Sequence, residues 1–169
     1  MDVKEYSQRI YNLTEDLIYE ILERFESNQN IDKTLTYVFT KIFYIHSIRL
    51  YLSSRCRLDL FDDIYTEYRN NIFEYYKINN QGIDEALLND ILKSADTMLE
   101  MLETMNFKEI NDSYEFRHYI ILCFDLLRNI LENKSKHPIR VDLFDNFISK
   151  IKEKAEEMID YTSKVLKWN

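Results

Sequence analysis

Three histidines, His46, His118 and His137, are the side chains most suited to proton transfer or metal binding near neutral pH. Glu115-x-x-His118 has the spacing that presents a carboxylate and an imidazole on one helix face. Di-iron helical bundles use two such pairs plus two further glutamates. The second pair is missing here: His46 has no carboxylate three residues before it, and Thr36 to Phe39 carries neither Glu nor His. No metal and no cofactor is expected.

Arg128-Asn129 followed by His137 is the other arrangement with chemical content. It resembles the Arg-Asn and trailing His of small all-helical ribonucleases of the HEPN class, a resemblance that implies RNA cleavage or toxin activity. The likeness covers two residues and departs at His137, which falls too far along, beside Pro138. Arg69-Asn70 is followed by Tyr75 and Tyr76, with no histidine. Cys56, after a helix end at Ser53-Ser54-Arg55, could be activated by the dipole of the next helix, but no histidine is assigned to it. A chain with one glycine builds no Gly-rich phosphate loop. No catalytic residue is assigned, and enzymatic activity is not expected.

The most unusual feature is aromatic: thirteen tyrosines and ten phenylalanines, many on faces that also carry charge. Tyrosine buries a ring while its hydroxyl reaches water, so it suits core edges and protein interfaces alike, and binding hot spots favour Tyr and Arg. Tyr65, Tyr68, Arg69, Tyr75 and Tyr76 on one helix form the candidate protein interface.

The elements that must position these residues are helices. Gly82 and Pro138 stand alone of their kinds, whereas sheets need turn residues every few positions. Apolar residues recur at three and four without sustained alternation. Six helices are expected, over about 3–27, 32–53, 58–76, 84–105, 113–133 and 141–166. Asp32 caps the second, Asp112 or Ser113 the fifth. The first carries a stripe of Val3, Tyr6, Ile10, Leu13, Leu17, Ile21 and Phe25. The fourth turns Leu88, Ile91, Leu92, Ala95, Leu99 and Leu102 inward. The second and fifth are apolar on most sides, so both are placed at the centre of an all-α six-helix bundle.

An internal repeat is also expected. Arg57-Leu-Asp-Leu-Phe-Asp-Asp-Ile64 resembles Arg140-Val-Asp-Leu-Phe-Asp-Asn-Phe147, 83 residues on. Leu17 to Phe25 matches Thr97 to Met105 at an offset of 80, and Ile31 to Tyr37 matches Ile110 to Phe116 at 79. A tandem duplication of a three-helix unit, 1–80 and 83–169, accounts for the common order. Two such units sharing their central helices bury a better core than either alone. Early aspartates in the repeated run suit a helix N-terminus.

Net charge of −8 and a pI near 5.0 oppose nucleic-acid binding. The mildly basic C-terminal helix with Lys150, Lys152 and Lys154 reads as a solvated face. The most apolar stretch, Leu35 to Leu52, is broken by Lys41, His46 and Arg49, so no membrane span is expected. Cys56 and Cys123 make no disulfide framework, and no signal peptide opens the chain, which places it in the cytoplasm. The expectation is a non-enzymatic interaction protein that binds another protein or a second copy of itself. The alternatives are the small ribonuclease and a bundle holding a metal, heme or apolar ligand.

Overall fold

A computed structural model describes residues 1–25, 32–79, 82–104, 113–136, 138, 139 and 142–167. His137, Arg140 and Val141, the Ser27–Asn30 helix end, Met105, and Ile110 to Asp112 lie outside them, as does the capping of the fifth expected helix. The elements are α1 (Val3–Leu13), α2 (Glu15–Phe25), α3 (Lys33–Ser54), a 3-10 turn (Leu58–Leu60), α4 (Phe61–Ile78), α5 (Glu85–Thr104), α6 (Ser113–Ser135), α7 (Asp142–Asp145) and α8 (Ile148–Lys167). No strand occurs among the described residues, and no helix there is long and apolar enough to cross a membrane.

The boundaries follow local chemistry. Asp32 caps α3: in extended backbone, its carboxylate accepts from the Leu35 amide at 2.9 Å. Asp2 does the same for α1 through the Glu5 amide at 3.1 Å. At the far end of α3, Arg57 N–H reaches the Leu52 carbonyl at 2.8 Å and Cys56 N–H reaches Ser53 at 3.1 Å. That nested pair ends a helix when one residue turns left-handed, and here Cys56 does so at φ 54°.

Two expected helices are each divided. The first breaks at Thr14 into α1 and α2. Thr14 turns its hydroxyl onto the Tyr11 carbonyl at 3.1 Å, and Lys41 Nζ takes the same carbonyl at 2.7 Å. That acceptor is drawn out of the ordinary helical ladder, and the pattern resumes with Ile18 N–H on the Thr14 carbonyl at 3.1 Å. The sixth divides into α7 and α8 at Asn146 and Phe147, where Phe147 N–H bonds Phe144 at 2.8 Å. Both phenylalanine rings are buried at this step.

Helix α3 carries the longest buried run among the described residues. Every residue from Leu35 to Ile48 is buried, and α2, α4, α5, α6, α8 and the 3-10 turn all pack against it. Phe39 and Phe43 meet Phe124 of α6 edge-on at 6.1 and 5.3 Å, and Phe124 meets Phe144 of α7 at 5.5 Å. On another side, Tyr44 Oη donates to the Ile151 carbonyl of α8 at 3.2 Å. Helix α6 differs. Phe116, Tyr119, Ile120, Cys123, Phe124, Leu127 and Leu131 are buried, yet Leu122, Leu126 and Ile130 are half-buried and Arg117, His118 and Asn129 exposed. Its main packing is against α3, α5 and α8, with Phe144 of α7 beside Phe124. Helix α1 packs along α4, where Ser7 Oγ donates to the Ile64 carbonyl at 3.2 Å. Tyr6 Oη bonds Thr162 Oγ1 of α8 at 2.6 Å.

Burial predicts the energetic contrast. Phe43→Ala empties a site walled by Tyr44, Tyr119 and Phe124 and is expected to cost about 3–5 kcal/mol in urea denaturation. Ile78→Ala, at a residue 77% exposed, is expected to change stability by about 0.5 kcal/mol or less.

Candidate functional site

The buried run of α3 from Leu35 to Ile48 includes Lys41 and His46, and two clusters meet the demand of burying their charges. The first surrounds Lys41, whose ammonium is wholly buried. It donates to the Tyr11 carbonyl at 2.7 Å and Thr14 Oγ1 at 3.0 Å, and lies 2.6 Å from Glu15 Oε1. The ammonium also sits 3.6 Å from the Tyr11 ring centroid, a cation–π contact. Tyr37 Oη donates to Glu15 Oε1 at 2.6 Å, so it accepts in turn from the Tyr11 hydroxyl. Burial pulls the Lys41 pKa down and Glu15 restores part of it, leaving it at about 8. The amine has three hydrogen-bonding or ionic partners and no open face. It holds the α1–α2 break from both sides, through Tyr11 and Thr14 on one and Glu15 on the other.

The aromatic candidates feed this cluster. Tyr75 stacks on Tyr37 at 4.4 Å, Tyr76 meets the same ring edge-on at 5.8 Å, and Tyr68 meets Tyr11 edge-on at 5.5 Å. Tyr68 is wholly buried, Tyr76 nearly so, and Tyr75 half-buried. Tyr65 gives its hydroxyl to Asp96, and Arg69 bonds Asn89, both on α5. The structure therefore turns this residue set inward and sideways, toward α1, α3 and α5. The reason is the pairing of α4 with α1, which covers the face from Ile64 through Tyr68 and Ile72 to Tyr76.

The second cluster centres on His46. Its ring is 2% exposed; Nδ1 lies 2.8 Å from Glu103 Oε1 and Nε2 lies 2.9 Å from Asp96 Oδ1. An ionised carboxylate only accepts, and a neutral imidazole has one N–H to give. Two carboxylate partners therefore call for the doubly protonated ring. Burial alone would lower the His46 pKa, but the bonds to Asp96 and Glu103 outweigh it and raise the pKa to about 8. Arg49 holds the other oxygen of Glu103 at 2.6 Å, and the Phe61 ring lies 6.5 Å from the imidazole. Sequence reasoning read His46 as an isolated histidine because its partners stand 50 and 57 residues downstream. The only local signal was a histidine among apolar residues that leave it no path to water.

Glu115 and His118 are exposed on α6, and no group of three His, Cys, Asp or Glu among the described residues could hold a metal ion. Arg128 pairs with Glu132 at 3.2 Å and lies 3.9 Å from Asp125, all on α6. Cys56 is exposed at its corner, and Cys123 is buried with its thiol pKa pushed well up by desolvation. An open groove of about 520 Å³ lies at the α4–α5 corner, between Phe73, Tyr76, Ile83 and Leu88, with Glu74, Lys77 and Glu85 on its walls. Comparison with protein-family models, curated proteins and solved structures finds no match to this chain.

Lys41→Ala strands Glu15 beside a cavity and is expected to cost about 3–5 kcal/mol on urea unfolding. Lys41→Met combined with Glu15→Gln removes both charges and keeps an acceptor for Tyr37, so it is expected to lose less than half as much. For His46 the folded pKa lies above the ordinary 6.5, so its stabilisation is complete below pH 6.5 and is lost as pH rises through about 8. A shift of that size corresponds to about 2 kcal/mol. Urea midpoints measured from pH 6 to 7.5, below the Lys41 pKa, should fall in the natural chain and flatten in His46→Gln.

Proposed function

We propose that this chain is a non-enzymatic helical interaction module that binds another protein through the α4–α5 corner. The observation that carries the reading is where exposed apolar surface lies relative to the groove. Ile78 is 77% and Leu87 53% exposed, and they adjoin in sequence the groove residues Lys77 and Leu88. Side chains of this kind left in water mark a contact surface when they flank a concave apolar wall. Tyr76, one of the expected interface residues, forms part of that wall.

Charge selects the partner. A net charge of −8 steers a basic protein toward the surface and repels nucleic acid. The occupant is therefore a basic partner that presents an apolar segment. The ribonuclease alternative requires a free Arg128, which is engaged by Glu132 and Asp125. Two free thiols, one exposed and one buried, fit a reducing cytoplasm.

The duplication belongs to this reading as well, with α3 and α6 as counterparts. Ile64, Tyr68 and Ile72 of α4 have buried counterparts in Phe147, Ile151 and Ala155, each 83 positions on. Every buried residue of α6 also corresponds to a buried residue of α3 79 positions earlier, from Tyr37 with Phe116 to Leu52 with Leu131. The first correspondence weighs more, because α3 is buried nearly all round. The offset of 80 finds no such support: Leu17 is buried while Thr97 is exposed.

The test compares capture from native cells by the natural chain and by an Ile78→Asp, Leu87→Asp variant. A basic protein held by the first, and held at least tenfold less by the second and at raised salt, is the expected result. Equal capture by both removes the corner as the contact surface. RNA cleavage by the natural chain that vanishes in an Arg128→Ala, His137→Ala variant would overturn the whole class.

A further inference from the structure

The His46 cluster ties α3, in the half spanning 1–80, to α5, in the half spanning 83–169. Asp96 and Glu103 stand seven residues apart, two turns along one face of α5, and one buried ring is bonded to both. We propose that this cluster is a protonation-operated latch: loss of one ring proton to solvent loosens α5 from α3 locally, while the α1–α4 packing stays closed.

After deprotonation one ring nitrogen carries a lone pair, and that lone pair faces a carboxylate oxygen less than 3 Å away. At 2% exposure the ring has almost no water to replace the lost bond. The carboxylates cannot swing clear, because each is held from its other side. Tyr65 of α4 donates to Asp96, and Arg49 of α3 donates to Glu103.

The remaining charges near the cluster neither supply a substitute proton nor neutralise the pair. Arg69 of α4 bonds Asn89 and faces Tyr65, which Glu100 of α5 also faces. On α6, Tyr119 and Cys123 face Glu103, and burial raises the pKa of both, so they stay neutral. At the 3-10 turn, Arg57 and Asp59 pair with each other at 3.3 Å. On the α2 side, Glu15 is engaged by Lys41. Charges of α8 pair along their own helix, as Lys154 does with Glu157, or with α2, as Lys150 does with Glu20. With the His46 pKa at about 8, the latch lies within the range of ordinary buffers.

Hydrogen exchange of the full chain, read by mass spectrometry and corrected for intrinsic rates, tests it between pH 6.5 and 9. Protection over 85–104 is expected to fall about 10- to 15-fold, because roughly half of the 30-fold that a shift from 6.5 to about 8 allows is already lost at pH 6.5. Protection over α1 and the body of α4 is expected not to fall, since the group that titrates there, Lys41 with its pKa drawn below the ordinary 10.5 to about 8, favours the folded state as pH rises. His46→Gln should give low protection of α5 at every pH. Should that variant lose its helical circular dichroism, Asp96→Asn serves instead and should move the midpoint of the loss to lower pH. Constant α5 protection in the natural chain, loss of protection in step with α1 and α4, or an unmoved midpoint in Asp96→Asn would each overturn the latch.

Discussion

A cation buried in a helix core must bring its own counter-charge, and the structure depends on that constraint being met twice on one helix. Lys41 and His46 are five residues apart on α3, which rotates them by about 140°. One therefore points toward the α1–α2 break and the other toward α5. Each is met by carboxylates from outside α3: Glu15 on one side, Asp96 and Glu103 on the other. Apolar packing surrounds α3 without choosing its rotation, because most of its faces are greasy. The two charged sites choose it. Turning α3 by a single residue position would leave an ammonium and an imidazolium in hydrocarbon, at a cost far above that of a misplaced methyl group.

Tyrosine serves the same end. A phenylalanine at position 37 would fill the space and stack on Tyr75, but it could not relay a bond from Tyr11 to Glu15. The abundance of tyrosine thus reflects a core with polar business in it. Tyr6, Tyr11, Tyr37 and Tyr44 each bury a ring and place the hydroxyl on a specific acceptor or donor in another helix. Such bonds add orientation to packing that is otherwise tolerant of sliding.

How much of this was legible in the sequence differs from element to element. The all-helical class followed from the scarcity of Gly and Pro and the apolar period. The Asp32 cap and most helix ends followed from short-range chemistry, which a sequence states directly. The break at Thr14 did not, because the group that holds it open, Lys41, is 27 residues away. Lys41 and His46 were read as interruptions of an apolar stretch, which they are, without the partners that make them tolerable. Tyr68 was read as a surface anchor, since a tyrosine between charged residues looks the same whether its face meets water or α1. Periodicity reports which face is apolar; what covers that face is a property of the whole chain.

The bond between Tyr6 and Thr162 spans 156 positions of sequence. Contacts of that separation form late, because a long stretch of chain must lose its freedom before they can be made. During synthesis α1 can settle on α4 as soon as residue 78 is free of the ribosome, yet its side toward α8 stays wet until 148–167 has followed. One flank of α1 therefore stays uncovered while residues 79–167 are being made, a window in which a chaperone has a binding site that the folded chain lacks.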